Sequence, residues 1–230
     1  MGEPRVLGVD ACKAGWVGIA VSDGPPQAYV AASIASLIDQ ARRLGPLDAV
    51  AVDIPIGLPD TGRRTADVSA RAAIGGLGSS VFMTPVRPAL EAPDHPTAVL
   101  VNRRLAGEGI SVQAYGLRRR VFEVEQYVRD EPQLVIEVHP EVCFAHMQGR
   151  PMTSRKSTWA GVVNRHRLLS ENGIDLAGEL GLAGVNVGVD DVLDAGAAAW
   201  TARRYAAGRA MSLPDPPEIF SDGWRTAIWA

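Results

Sequence analysis

The sequence predicts an α/β fold built on a mixed five-stranded sheet flanked by helices. Three observations carry this reading. Two short turns in quick succession near the N-terminus imply an antiparallel meander. A strand, a single helix and a further strand then imply a parallel pairing with a right-handed crossover. Finally, 230 residues with a 47% hydrophobic fraction suffice to bury one sizeable core.

The first strand covers Arg5–Ala11 and turns at Lys13-Ala14-Gly15 into a second, Trp16–Val21. Asp23-Gly24-Pro25-Pro26 forms the next turn, and Ala28–Ala32 the third strand. Ser33 caps a helix in which Ile34, Leu37, Ile38, Ala41 and Leu44 recur at helical spacing, ended by Gly45-Pro46. The fourth strand is Ala49–Ile54. From Pro55 to Pro96 the texture turns to Gly, Pro, Arg and Ser, with one helix around Arg64–Ile74. Two more helices follow near Thr97–Ala106 and Ala114–Arg129, so residues 58–130 read as a helical and loop insertion after strand 4. Leu134–Val138 is the fifth strand, and His139-Pro140-Glu141 opens a helix with proline at its favoured first position. Helices over Thr158–Ser170 and Asp191–Ala207 complete the body. The tail, Leu213–Ala230, is Pro-rich and then apolar, and is expected to pack back on it. No internal repeat divides the chain, which reads as one domain over 1–230.

Composition narrows the functions. A formal charge of −3 and a pI of about 5.8 argue against a surface that coats nucleic acid, so any phosphate contacts must be local. Cys12 and Cys143 lie in no CxxC pair and near no histidine at ligand spacing, which points to free thiols in a reducing cytoplasm rather than zinc. The N-terminus has no charged-then-apolar leader and no apolar run approaches 18 residues, so a cytoplasmic protein with no membrane partner is expected.

The chemistry-bearing residues fall in three places. Asp10 follows the apolar run Val6–Val9, and Asp53 follows Ala49–Val52. Each acid at the tip of a buried strand is costly unless a cation meets it. If the two strands pair in parallel, both acids lie at one edge, about 4.8 Å apart by strand spacing. Asp190, Asp191 and Asp194 open the last long helix, where Asp191 and Asp194 share a face. Each acid also has a structural use, Asp10 and Asp53 in turns and the helical aspartates against the helix dipole. Glu137 sits mid-strand on the face of Val135 and is a further candidate. The cationic candidates are Lys13, Arg64, Arg71, Arg87 and Lys156, and Ser79-Ser80-Val81-Phe82-Met83-Thr84-Pro85 offers hydroxyls and amides to phosphate oxygens. His139 either caps its helix or handles protons. His95, His146 and His166 show no partnered spacing, and Arg118-Arg119-Arg120 reads as a solvated face.

With these residues in hand, the chain resembles the domain of unknown function 429 family, described as predicted RNase H-like nucleases. The matching segments are Gly8–Trp16, Asp53–Pro59, Arg64–Asp67 through Arg71, Ser79–Phe82, Glu137–Glu141 and Asp190–Ala195. The resemblance implies an RNase H-like sheet of order 3-2-1-4-5 with strand 2 antiparallel, which agrees with the order read from turns and crossover. It also implies two divalent ions, Mg2+ or Mn2+, held by Asp10, Asp53 and Asp191, with Glu137 or Asp194 as a fourth acid.

The expected activity is therefore metal-dependent phosphodiester hydrolysis of DNA, RNA or a nucleotide-like phosphoester. Asp10, Asp53, Glu137 and Asp191 are its catalytic candidates. Lys13, Arg64, Arg71, Ser79, Ser80, Arg87, His139 and Lys156 are its substrate-binding candidates. Two other readings stay open: an actin-like nucleotide-dependent phosphotransferase, for which one Asp-led hairpin in 230 residues is short, and a non-catalytic binding or homodimerisation module using the Trp-bearing tail.

Overall fold

A computed structural model describes residues 2–132, 134–178 and 180–230. Strands β1 (Val6–Cys12), β2 (Gly15–Val21) and β3 (Gln27–Ala31) form the expected meander, with Asp10 opposite Val17. Helix α1 (Ile34–Arg42) starts at Ser33, whose hydroxyl accepts from the Ser36 N–H at 3.2 Å, and it buries Ile34, Leu37, Ile38 and Ala41. It leads into β4 (Ala49–Val52), which pairs with β1 in parallel, Val9 beside Val52. The Asp53 N–H donates to the Val9 carbonyl at 3.1 Å, so Asp53, just past β4, lies beside Asp10, which sits within β1 two residues before its end.

The segment between β4 and β5 (Val135–Val138) carries α2 (Thr65–Ala73), a 3-10 turn over Gly75–Ser80, α3 (Arg87–Leu90), α4 (His95–Ala106), α5 (Val112–Gly116) and α6 (Arg118–Asp130). It is only partly an excursion. Val121, Val124 and Val128 of α6 join the core beneath α1, whereas α3 to α5 build a small core of their own around Val86, Ala98 and Tyr115. The helix expected over Ala114–Arg129 is two helices that meet at Leu117.

After β5 come α7 (Pro140–Gln148), α8 (Trp159–Glu171) and α9 (Val189–Ala206). The tail corrects the five-strand expectation. Rather than merely packing back, it forms β6 (Ser212–Ile219) and β7 (Arg225–Trp229), and the sheet has seven strands in the order β3-β2-β1-β4-β5-β7-β6. β7 pairs in parallel with β5, and β6 closes the edge. Pro214, Pro216 and Pro217 hid β6 from a sequence reading, and an edge position is where a sheet tolerates proline.

Two apolar cores sandwich this sheet. One lies under α1 and α6 with Leu7, Val9, Val50 and Val52. The other lies under α9 with Val6, Ile19, Ala51 and Ile136. Alternation along β1 puts Gly8 and Asp10 on the α9 side. There α9 presents Ala195, Gly196, Ala197, Ala198 and Ala199, all small, so its backbone comes unusually close. A Cβ on Gly8 would stand 2.0 Å from the Ala199 nitrogen and 2.1 Å from the Ala195 oxygen. Gly57 is a second such position: its φ is +83°, and a Cβ would lie 1.9 Å from Thr226 Oγ1 on β7. Among the described residues, no helix is long and apolar enough to cross a membrane.

Gly8→Ala must therefore push α9 off the sheet. We expect it to destabilise the fold by about 3 kcal/mol or more in urea denaturation. Gly24→Ala, at a position with nothing within 4 Å, should leave the midpoint unchanged.

Candidate functional site

The docking of α9 on Gly8 sets where its acids go. Ala195 faces Gly8, and Asp191, Asp194, Ala195 and Ala198 follow one another at i, i+3, i+4 and i+7, a single helix stripe. One turn back along the helix from Ala195 is about 5.4 Å. Two residues forward along β1, from Gly8 to Asp10, is about 6.6 Å. The matching steps bring the acidic start of α9 over the carboxyl ends of β1 and β4. Asp10 and Asp194 are buried and Asp53 is partly buried.

Asp10, Asp53, Asp191, Ser80, His139 and Lys156 line a cavity of about 230 Å3. Asp53, Ser80, His139 and Lys156 also line an adjoining cavity of about 390 Å3, together with Ser79 and Asp194. Four shared residues make the two hollows one cleft. A larger hollow of about 840 Å3 lies behind the β6–β7 hairpin and contains none of the Asp10, Asp53, Asp191 and Asp194 set.

Electrostatics single out this cleft. Burial, then the nearby Asp53 and Asp194 carboxylates, push Asp10 well above the ordinary range. Burial and Asp194 raise Asp53 to about 8, against the lowering pull of Lys156. Burial raises Asp194 to about 6, although Lys156 donates to its Oδ2 at 2.6 Å. The same ammonium stands 3.7 Å from Asp190 Oδ2. One lysine thus faces a group of acids that outnumber it. Asp191 is partly committed elsewhere, its Oδ2 accepting from the Gly188 N–H at 3.0 Å to cap α9.

Hard, negatively charged oxygens crowded against their own repulsion suit Mg2+ or Mn2+. The donor chemistry of Asp10, Asp53, Asp191 and Asp194 therefore fits the cation expected from the sequence. With Lys156 among them, no three His, Cys, Asp or Glu side chains of the described residues stand at ligating distance of one point.

The other expected residues separate by position. Ser79, Ser80, His139 and Lys156 line the cleft. Burial depresses His139 to about 4, which keeps its ring neutral, and its buried Nδ1 has no partner among the described residues. Lys13 is exposed and lines neither cavity. Three arginines expected to hold phosphate are engaged in the fold instead. Arg64 is completely buried, pairs with Glu137 through both terminal guanidinium nitrogens, contacts Asp67 at 3.1 Å and donates to the Gly57 carbonyl at 3.1 Å. Arg71 donates to the Val81 carbonyl at 2.5 Å and so holds the loop that carries Ser79 and Ser80. Arg87 bridges Asp222 at 2.8 Å and Glu125 at 3.1 Å.

Glu137 shares a face with Val135, as alternation predicts, opposite the face that carries Asp53. Besides Arg64 it accepts from the Ile56 N–H at 2.7 Å and so fixes the loop after Asp53. Burial alone would lower the Arg64 pKa, but Glu137 and Asp67 more than reverse it. Burial raises Glu137 to about 7 against the lowering pull of Arg64, and Glu137 is bonded to a guanidinium, which among the described residues Asp10 and Asp53 are not. Asp10 instead accepts from the Ala11 N–H at 2.7 Å.

Sequence reasoning set Glu141 at the opening of its helix, as found in α7, but missed its arginine partner and missed Asp67 and Arg165 altogether. Asp67 Oδ2 accepts from the Thr84 N–H at 2.7 Å, and its i, i+3 spacing from Arg64 was the available signal. Arg165 is completely buried, donates to both Glu141 oxygens at 2.5 and 2.7 Å, and reaches the Ser154 carbonyl at 3.0 Å. Nothing in the local pattern of α8 marks it.

Two outcomes are expected. Because the folded pKa of Asp53 lies above its unfolded value of 3.8, the unfolded chain gives up this proton first and stability drains away as pH rises toward about 8. His139 acts in the opposite sense only below about its unfolded value of 6.5. In chelator, the thermal midpoint should fall between pH 6.5 and 8.5, and Asp53→Asn should flatten that slope; an unaltered slope refutes the assignment. Arg64→Met strands Glu137 and Asp67 and should cost about 3–5 kcal/mol by chemical denaturation, whereas a phosphate-binding arginine would leave stability unchanged.

One comparison bears out the family, though no activity, read from the motifs. A family model described as "Protein of unknown function (DUF429)" matches residues 8–219, which include Asp10, Asp53, Glu137 and the acids of α9. No curated protein and no solved structure matches the chain. A match over nearly the whole of the 230 residues places it: the chain belongs to the DUF429 family.

Proposed function

We propose that this protein hydrolyses phosphodiester bonds of DNA or RNA with divalent cations held by Asp10, Asp53, Asp191 and Asp194. The reading is supported above all by one observation. Asp10, Asp53 and Asp194, all with raised pKa values, meet Asp191 at a single cleft around one lysine, whereas Glu137 and Glu141 each have a bonded arginine. Carboxylates left this short of positive charge are a usual mark of a functional site. The order of the first five strands, 3-2-1-4-5 within the seven, supports an RNase H-like arrangement for this site.

Mg2+ or Mn2+ ions, when bound, would supply an activated water and stabilise the charge on the leaving oxygen. The chain's own residues do the rest. Asp10 and Asp53, fixed by paired strands, hold the reacting end of the cleft rigid. Ser79 and Ser80 offer hydroxyls, and Lys156 an ammonium, to the non-bridging oxygens of the substrate phosphate. Neutral His139 gives a hydrogen-bonding wall without adding charge. Free thiols at Cys12 and Cys143 support a cytoplasmic setting.

Purified protein with Mn2+ should cleave single- or double-stranded oligonucleotides, and chelator should stop it. Asp10→Asn should fall to background while folding normally by circular dichroism. Cleavage at the wild-type rate in that variant would rule out this site.

A further inference from the structure

Lys156 stands on the loop between α7 and α8, and that loop is held firmly. Arg165 donates to the Ser154 carbonyl at 3.0 Å, and the Thr158 hydroxyl donates to the Arg155 carbonyl at 2.8 Å. Gly161 of α8 lies so close beneath that a Cβ would come within 1.9 Å of that same Arg155 oxygen. The base of Lys156 is thus fixed, while its side chain remains 42% exposed. The ammonium contacts Asp194 at 2.6 Å, approaches Asp190 at 3.7 Å, and is the positive charge that opposes the raised pKa values of Asp10 and Asp53.

We propose that the Lys156 ammonium and a divalent cation compete for the same carboxylates, so that cation binding expels Lys156 from Asp194 toward the substrate end of the cleft. The inference rests on the carboxylate cluster as the metal site, and it adds a built-in competitor to that site. Three features of the molecule carry it. Lys156 occupies Asp194 Oδ2 at 2.6 Å, so a cation can use that oxygen only by displacing the ammonium. Lys156 lines both parts of the cleft, so a swing of the flexible side chain keeps it inside the site. The loop need not move, because its clamps bind backbone carbonyls and not the ammonium.

The exchange gives the site an order of events. A phosphate group arriving with the cation offers the displaced ammonium a new anionic partner. Cation and phosphodiester therefore bind cooperatively, each removing a cost from the other. A cation binding alone has to displace that side chain with no new partner for it, so it binds more weakly than it does together with a phosphodiester.

The chain has two lysines, Lys13 and Lys156, which makes a direct test simple. In brief acylation of the wild-type protein followed by mass spectrometry, exposed Lys13 is the internal reference. Saturating Mn2+ should raise the Lys156 modification rate several-fold relative to Lys13, and Asp53→Asn should prevent the rise. In parallel, Lys156→Met should bind Mn2+ at least tenfold more tightly than wild type by calorimetry, while Lys156→Arg, which keeps a positive charge, should not. Mn2+ binding by the wild type with Lys156 labelling unchanged, or with no gain in Lys156→Met, overturns the competition and leaves the metal site standing. No Mn2+ binding by any of the proteins overturns both.

Discussion

The contact on which the rest of the structure depends is the close seating of α9 on β1 at Gly8. Helix and strand approach to a distance that no side chain on Gly8 would allow, and the helix answers with a run of alanines and one glycine. Dispersion between two surfaces of this smoothness is large in sum because every small residue brings backbone atoms into contact. The same contact sets the helix in both translation and rotation. A shift of one residue would turn Asp194 away from the strand tips, so the packing of an apolar stripe determines where charge is placed.

Charge in this molecule is then handled in two ways. Glu137 with Arg64, Glu141 with Arg165 and Asp222 with Arg87 are acids bonded to guanidinium groups inside the fold. These pairs lock loops: Glu137 holds Ile56, Arg165 holds Ser154 and Asp222 holds Leu58. Buried ion pairs of this kind contribute geometry more than net stability. Around Asp10, Asp53 and Asp194 the arrangement is different. One flexible, strongly hydrated ammonium bonds Asp194 and acts on Asp10 and Asp53 through its charge alone, and burial leaves all three acids binding protons more tightly. Rigid guanidinium clamps brace the elements around the cleft, while flexible Lys156, with exposed Arg155 beside it, lines its interior. This division explains why arginines that looked like phosphate ligands in sequence turn out to be brackets.

The tail shows how an edge can complete a sheet. β7 pairs with only a short part of β5, yet it buries Thr226, Ala227 and Ile228 and covers a side of the sheet that would otherwise be open to another chain. β6, interrupted by prolines, then ends the sheet at a strand poorly suited to further pairing. Gly57, pressed against Thr226, ties this hairpin to the loop that leaves Asp53.

Local pattern alone determined the meander, the β1–α1–β4 crossover, most helix spans and the three clusters of aspartate, because period, caps and turn residues act over a few positions. Asp10 and Asp53 could be placed side by side from this information, since a parallel crossover leaves little freedom. Tertiary structure decided the rest. Whether Arg64, Arg87 and Glu137 face substrate or each other depends on partners 73, 135 and 81 residues away in the chain, a separation that no local pattern encodes. The strand character of the proline-rich tail likewise depends on an edge supplied by β5. The meeting of α9 with β1 required one glycine and a row of alanines to find each other across nearly the whole chain, and only the packed core brings them together.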